Sequence, residues 1–170
     1  MKFKFIIIFL LAYVMSGFLN NPGLSAQTNP VKWESFNSGI SKARKEKKPV
    51  IIDFYADWCS WCKVMDRETF SNEEVSKILE KNFITVRLDM EKKENITFMK
   101  TTTTPSAFAS MLGVTGLPTV AFMDESGNFI DAVPGYIKAD IFAGILKYIS
   151  EGCYKKKISF QDYMNKKGCK

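Results

Sequence analysis

The spacing of apolar residues changes along this chain, and the changes predict most of its elements. Trp33, Phe36, Ile40 and Ala43 recur every three or four positions with charges between them, which predicts an amphipathic helix over residues 33–48. After Pro49 the period is lost. Val50-Ile51-Ile52-Asp53-Phe54-Tyr55 is a short continuous apolar run, read as a buried central strand that carries one acid. Phe83 to Leu88 is β-rich and is read as a second central strand. A helix should start at Cys59 and reach Arg67, and another should open at Asn72-Glu73-Glu74, because asparagine caps well and acids favour a first turn. Residues 90–104 are polar and end in Thr101 to Thr104, which reads as loop. A helix over 105–112, a hairpin of Thr119–Met123 and Phe129–Val133 around a Ser-Gly-Asn turn, and a helix over 138–150 follow. On that last helix Ile141, Ile145, Leu146 and Ile149 are the expected inward face. Ser159 with Asp162 resembles a capping box opening a final short helix. Strand and helix alternate first, then come a hairpin and a closing helix. The expected fold class is α/β, a central mixed β-sheet flanked by helices.

The first residues follow a different pattern. Met1-Lys2-Phe3-Lys4 is basic, Phe5 to Leu19 is almost wholly apolar, and a Pro-Gly stretch leads to Leu24-Ser25-Ala26. This is the order of a secretory signal peptide, with cleavage expected after Ala26. The apolar run is shorter than the roughly 20 residues a spanning helix prefers, and an uncleaved anchor is the alternative. Residues 27–152 are then one domain and 153–170 a basic extension, exported to a periplasmic or secreted location where disulfides persist.

Charge narrows the partners. The chain is +6, but residues 27–152 hold 16 basic and 17 acidic side chains, while 153–170 hold six lysines and one acid. A nucleic-acid partner would call for basic residues spread over the fold, so none is expected, and the tail reads as solvated. The chain has no histidine, which excludes Ser-His-Asp and Cys-His catalysis, HExxH zinc sites and CxxCH haem attachment.

The chemistry therefore rests on four cysteines. Cys59-Ser60-Trp61-Cys62 follows a buried strand and opens a helix. Unpaired N–H groups and the dipole at a helix N-terminus favour a thiolate, so Cys59 can attack a disulfide without an imidazole. Cys62, one turn on, can close a disulfide with it and release the partner. Asp53, six residues before Cys59, would have a raised pKa if buried and could exchange a proton with Cys62, and a salt-bridged core acid is its other reading. Gly116-Leu117-Pro118-Thr119 puts a proline, the residue that tolerates a cis bond, at a strand entry. Cys153 and Cys169 have no activating context, and an even pair in an oxidising compartment most simply forms a structural disulfide. A second redox relay or pairing with another chain are the other readings of that pair, and a merely structural bridge or a four-thiolate zinc site recruiting Cys153 and Cys169 are the rivals for Cys59 and Cys62.

Asp53-Phe54-Tyr55-Ala56-Asp57-Trp58-Cys59-Ser60-Trp61-Cys62-Lys63, with Gly116-Leu117-Pro118-Thr119 downstream, resembles the thioredoxin superfamily. More narrowly, Thr69-Phe70-Ser71 and Val75 make it similar to the C-terminal domain of the envelope thiol:disulfide interchange protein and to small exported thioredoxin-like proteins. The similarity covers roughly residues 33–150. It implies the thioredoxin fold, with Cys59 an exposed attacking thiol, Cys62 a buried resolving thiol, Asp53 a buried proton acceptor and Pro118 a cis proline facing the pair. Trp58, Trp61, Leu117 and Pro118 would form the substrate-binding surface. It further implies an exported thiol–disulfide oxidoreductase, a reductase of disulfide-containing proteins, fed by a membrane electron donor. The redox-active disulfide is its only cofactor, no metal is expected, and the chain is expected to be a monomer. An oxidase or isomerase, or a non-catalytic binding module, are the other functions considered. Ser60-Trp61 departs from the Gly-Pro of cytosolic thioredoxin and lacks the histidine of strongly oxidising relatives, which leans toward a reductant.

Overall fold

In the computed structural model, which describes residues 30–166, 168 and 169, a four-stranded mixed sheet lies between helical layers. The elements are α1 (Phe36–Glu46), β1 (Val50–Tyr55), α2 (Ser60–Met65) running into a π-helical turn (Asp66–Phe70), α3 (Glu73–Asn82) and β2 (Ile84–Asp89). Then come β3 (Ile96–Phe98), β4 (Thr101–Thr103), α4 (Pro105–Met111), β5 (Thr119–Met123), β6 (Phe129–Pro134), α5 (Ala139–Ser150), a 3₁₀ turn (Cys153–Lys156) and α6 (Phe160–Lys166). The expected signal peptide lies outside the described residues. No helix among the described residues is long and apolar enough to cross a membrane.

The sheet order is β2-β1-β5-β6, with β1 parallel to β2 and antiparallel to β5. β1 is central, as its unbroken apolar run requires. Because side chains alternate along a strand, Val50, Ile52 and Phe54 face the core under α1 and α4, while Ile51 faces the core under α3 and α5. Asp53 points to the same side as Ile51. β2 is an edge strand rather than the central one expected. Its outer side is covered by residues 33–35, which are extended and not helical: Glu34 N–H donates to Thr85 and Arg87 N–H donates back to Glu34. That cover explains why an edge strand has an interior composition. α1 accordingly begins at Phe36, and it approaches β2 so closely that a Cβ at Gly39 would collide with Val86.

Residues 90–104 are not plain loop. Ile96–Phe98 and Thr101–Thr103 pair as an antiparallel hairpin, with Met99 and Lys100 both at positive φ in its tip. Ile96 anchors it in the core, and Phe98 packs on Phe108 at 5.0 Å between ring centroids. Phe108 also meets Phe36 at 4.8 Å and Phe54 at 6.3 Å, so one ring joins α1, β1, the hairpin and α4. On α5 the inward residues are Phe142, Ala143, Ile145, Leu146 and Ile149, whereas Ile141 is largely exposed. Ile145, Leu146 and Ile149 are buried as expected, and Phe142 takes the place expected of Ile141, its ring edge-on to Phe70 and tilted against Phe122. The C-terminal segment folds back onto α5, where Tyr148 meets Phe160 and Tyr163. Lys155, Lys156, Lys157 and Lys166 of this segment are exposed. Phe108→Ala should cost about 3–5 kcal/mol in a urea melt, since it removes a fully buried ring and leaves a cavity. A loss under about 1 kcal/mol would show that the junction is not as built.

Candidate active site

The chain leaves β1 at Tyr55 and turns, with Cys59 N–H donating to Ala56 at 3.0 Å. Cys59 is the N-cap of α2: its backbone is extended, and its Sγ accepts from the Cys62 N–H at 3.1 Å. Sulfur takes the place of the usual cap oxygen, so it receives one of the orphan donors of the first turn. A thiolate at Cys59 would gain from that contact and from the helix dipole. Cys59 and Cys62 are joined by a disulfide, their Cα atoms 5.3 Å apart. Both cysteines are nearly buried, at 4% and 3% exposure, so Cys59 is not the exposed member that the resemblance implies. The bond draws its sulfur back over the first turn.

Two tryptophans flank the pair and are open to solvent, Trp58 at 67% and Trp61 at 58% exposure. The Trp58 indole N–H donates to Glu91 at 2.9 Å, which ties it to the segment leading into the β3–β4 hairpin. Trp61 lies 5.7 Å from the Tyr136 ring, and the Tyr136 hydroxyl donates to Glu68. The Leu117–Pro118 bond is cis. Antiparallel pairing sets Thr119 beside Phe54, so this loop and the Cys59 turn emerge at the same end of the sheet. The carbonyl of Pro118 accepts from Gly135, which takes the required turn at φ +83°, and the carbonyl of Gly116 accepts from the Thr119 hydroxyl. Leu117 makes no backbone hydrogen bond among the described residues.

Asp53 is 1% exposed, and register places it directly across from Arg87 on β2. The guanidinium donates from Nε to Asp53 at 2.9 Å, and its Nη2 lies 2.8 Å from the same oxygen and 2.5 Å from Asp66. Trp33 and Tyr55 rings cover its two sides, with the guanidinium carbon 4.8 and 4.5 Å from their centroids. Asp53 is thus both things the sequence allowed, a buried acid and a salt-bridged one. Burial pushes its pKa up to about 6; Arg87 opposes that rise, and the charge of Asp66 adds to it. For Arg87, burial works against the charge, but Asp53 and Asp66 outweigh it and hold its pKa above the ordinary value.

Arg87, Asp66, Glu91 and Tyr136 were missed at sequence level. Arg87 had a signal, a lone base inside an apolar strand, which calls for an acid across the sheet. Asp66 reaches Arg87 from the start of the π-helical turn, a feature the sequence does not announce.

Cys153 and Cys169 form the second disulfide. Glu151 places one carboxylate oxygen 3.6 Å from the Cys169 sulfur and 4.0 Å from that of Cys153, and Tyr163 donates to its other oxygen at 3.1 Å. These three residues are the group among those described that could hold a metal ion, but both sulfurs are spent in the bond. Tyr136, which leads into α5, lies beside Trp61, and Cys153 follows the far end of the same 12-residue helix. The helix is about 18 Å long, so the two pairs cannot share a zinc ion.

Asp53 supplies a pH test. Its folded pKa lies above the ordinary 3.8, so the native state holds the proton longer than the unfolded chain. Stability should fall as pH rises from about 4 to about 6 and stay lower above that window. Asp53→Asn should flatten this slope, because it removes the group that titrates. Denaturant midpoints across that range decide it, and an unchanged slope would contradict the assignment.

The thioredoxin-like domain family matches residues 36–150 of this chain. Thiol:disulfide interchange protein DsbD of Pseudoalteromonas atlantica is 32% identical over 118 residues, covering 68% of this chain and 18% of that protein. Spermatogenesis-associated protein 20 of Homo sapiens is 36% identical over 69 residues, covering 40% of this chain and 9% of that protein. The chain thus spans less than a fifth of the length of either. Among solved structures, the reduced C-terminal domain of Neisseria meningitidis DsbD is 29% identical with a TM-score of 0.50, covering 65% of this chain and 90% of that one.

Proposed function

The chain belongs to the thioredoxin-like domain family, and from that premise we propose that it is an exported thiol–disulfide oxidoreductase working as a reductase of protein disulfides. The observation that carries this reading is the Cys59–Cys62 disulfide at the N-terminus of α2, at the same end of the sheet as the cis Leu117–Pro118 bond, with Asp53 buried in β1. In the reduced protein the Cys59 thiolate attacks one sulfur of a substrate disulfide, forming a mixed disulfide and expelling a substrate thiolate. Cys62 then attacks Cys59, closing the intramolecular bond and releasing the second substrate thiolate. Asp53, its pKa pushed up to about 6 by burial, would take the Cys62 proton in that second step. An extended substrate would pair with the free backbone of Leu117 and lie against Trp58, Trp61 and Pro118. A dithiol donor, a membrane electron carrier of the kind the interchange-protein likeness suggests, would return the pair to its reduced form.

Insulin reduction by dithiothreitol tests the activity. The wild-type chain should accelerate it and Cys59→Ser should abolish the acceleration, whereas equal rates would refute the proposal. Cys62→Ser should accumulate a covalent adduct that reductant dissolves. Non-covalent complexes alone would favour a binding module.

The second pair we read as a staple. Its loop of about 15 residues should contribute about 3 kcal/mol. Cys153→Ser with Cys169→Ser should lower the melting temperature and leave insulin reduction unchanged. A loss of turnover without a loss of stability would instead make the pair a relay.

A further inference from the structure

The strands of the sheet run between two unlike ends. Tyr55, Asp89 and Thr119 mark the end with the disulfide, and Val50, Ile84 and Met123 mark the other. Six residues of β1 set these ends about 17 Å apart. Four segments distant in sequence meet at the second end. α1 finishes there, just before Val50. The β5–β6 turn lies there, and a Cβ at Gly127 would sit 3.8 Å from Arg44 and 4.0 Å from Phe98 of the hairpin. The 3₁₀ turn joins them, with Lys155 3.2 Å from Glu125 of the same β-turn.

These segments, residues 44–48, 99–100, 124–128 and 151–157, hold eight bases against four acids. Each acid is engaged: Glu46 with Lys48, Glu125 with Lys155, Asp124 with Asn128, and Glu151 with Tyr163. Arg44, Lys45, Lys47, Lys100, Lys156 and Lys157 are exposed and make no ion pair among the described residues. The disulfide end has the opposite balance, six acids against four bases in residues 55–68 and 89–94.

Two further observations choose the partner. Met99 stands in the hairpin tip at φ +47°, a conformation that asparagine or glycine would take at less cost, and it is 61% exposed among these bases. The strain at the tip holds an apolar side chain outward. The chain also enters the fold here, because Pro30 and Val31 lie with Leu79, Phe83 and Ile84 around one hollow. Ten residues separate Pro30 from the apolar run ending at Leu19, a reach of at most roughly 35 Å.

We propose that this basic end, with Met99 at its tip, is a docking surface for an anionic phospholipid bilayer, and that it holds the Cys59–Cys62 end facing away from the membrane. Lysines near an anionic surface gain from its potential, and an exposed apolar side chain among them enters the headgroup boundary, which a nucleic acid does not reward. Release from the bilayer follows salt, since the attraction is screened within a Debye length.

The test uses the chain without residues 1–26, because both cores are built from residue 31 onward. Co-flotation is measured with vesicles of phosphatidylglycerol mixed with phosphatidylcholine and with phosphatidylcholine alone. Binding should require the anionic lipid and disappear in about 0.5 M salt, where the Debye length is about 4 Å. Lys45→Gln with Lys156→Gln and Lys157→Asn should weaken it on the order of a hundredfold. Met99→Asn, which suits the left-handed backbone, should weaken it severalfold, and neither variant should alter insulin reduction or the melting temperature. Equal binding to neutral vesicles, no binding, or indifference to the charge variant would overturn the proposal. So would binding to a short DNA duplex as tight as that to the anionic vesicles.

Discussion

A carboxylate in the middle of a sheet has to be accommodated, and the accommodation of Asp53 organises one whole side of this protein. Its partner Arg87 comes from the neighbouring strand at the same register, which fixes how β1 and β2 align. The same guanidinium reaches Asp66, so the helix that carries the cysteines is held to the sheet through one cation. Trp33 and Tyr55 close over it, which also places the extended lead of residues 33–35 along β2. One arginine thus ties together the lead, both parallel strands and the helix that carries the cysteines. Because it is divided between two carboxylates, it does not hold Asp53 fully ionised. Burial outweighs the arginine and pushes the acid up to about 6.

Above this network the site needs little more. The turn after β1 delivers Cys59 to a helix N-terminus, and antiparallel pairing of β5 brings Pro118 to the same end. Without a histidine, the proposed reaction would rely on backbone N–H groups and the helix dipole to stabilise the thiolate, and on a buried acid for proton transfer. Both resources come from the fold itself. Specific recognition would then fall to the exposed rings of Trp58 and Trp61, each anchored at one edge by a hydrogen bond or a neighbouring ring.

Much of this was legible from residue spacing. β1, the helix after Asn72 and the β5–β6 hairpin stand where the apolar runs and cap residues put them, because local signals and tertiary packing agree there. The failures have physical causes. The β3–β4 hairpin was invisible because Met99-Lys100 replaces the turn residues that positive φ normally demands, and threonine runs read as loop. β2 was taken for a central strand because residues 33–35 shield its edge and allow it an interior composition. The Asp53–Arg87–Asp66 cluster depends on register and on the start of a π-helical turn, and neither is written in the local pattern. On α5 the spacing found Ile145, Leu146 and Ile149, and it missed only that Phe142 rather than Ile141 faces inward, where it packs against Phe70 and Phe122.

On the proposed function, Cys59 and Cys62 form a reversible dithiol–disulfide couple poised to give electrons. Equilibrating the protein with graded ratios of reduced to oxidised dithiothreitol, and counting the Cys59–Cys62 bond by alkylation and mass, measures its reduction potential directly. A single two-electron transition near roughly −270 mV is the predicted result. A potential near roughly −120 mV would make the protein an oxidant, and a pair that never equilibrates would remove the redox role altogether.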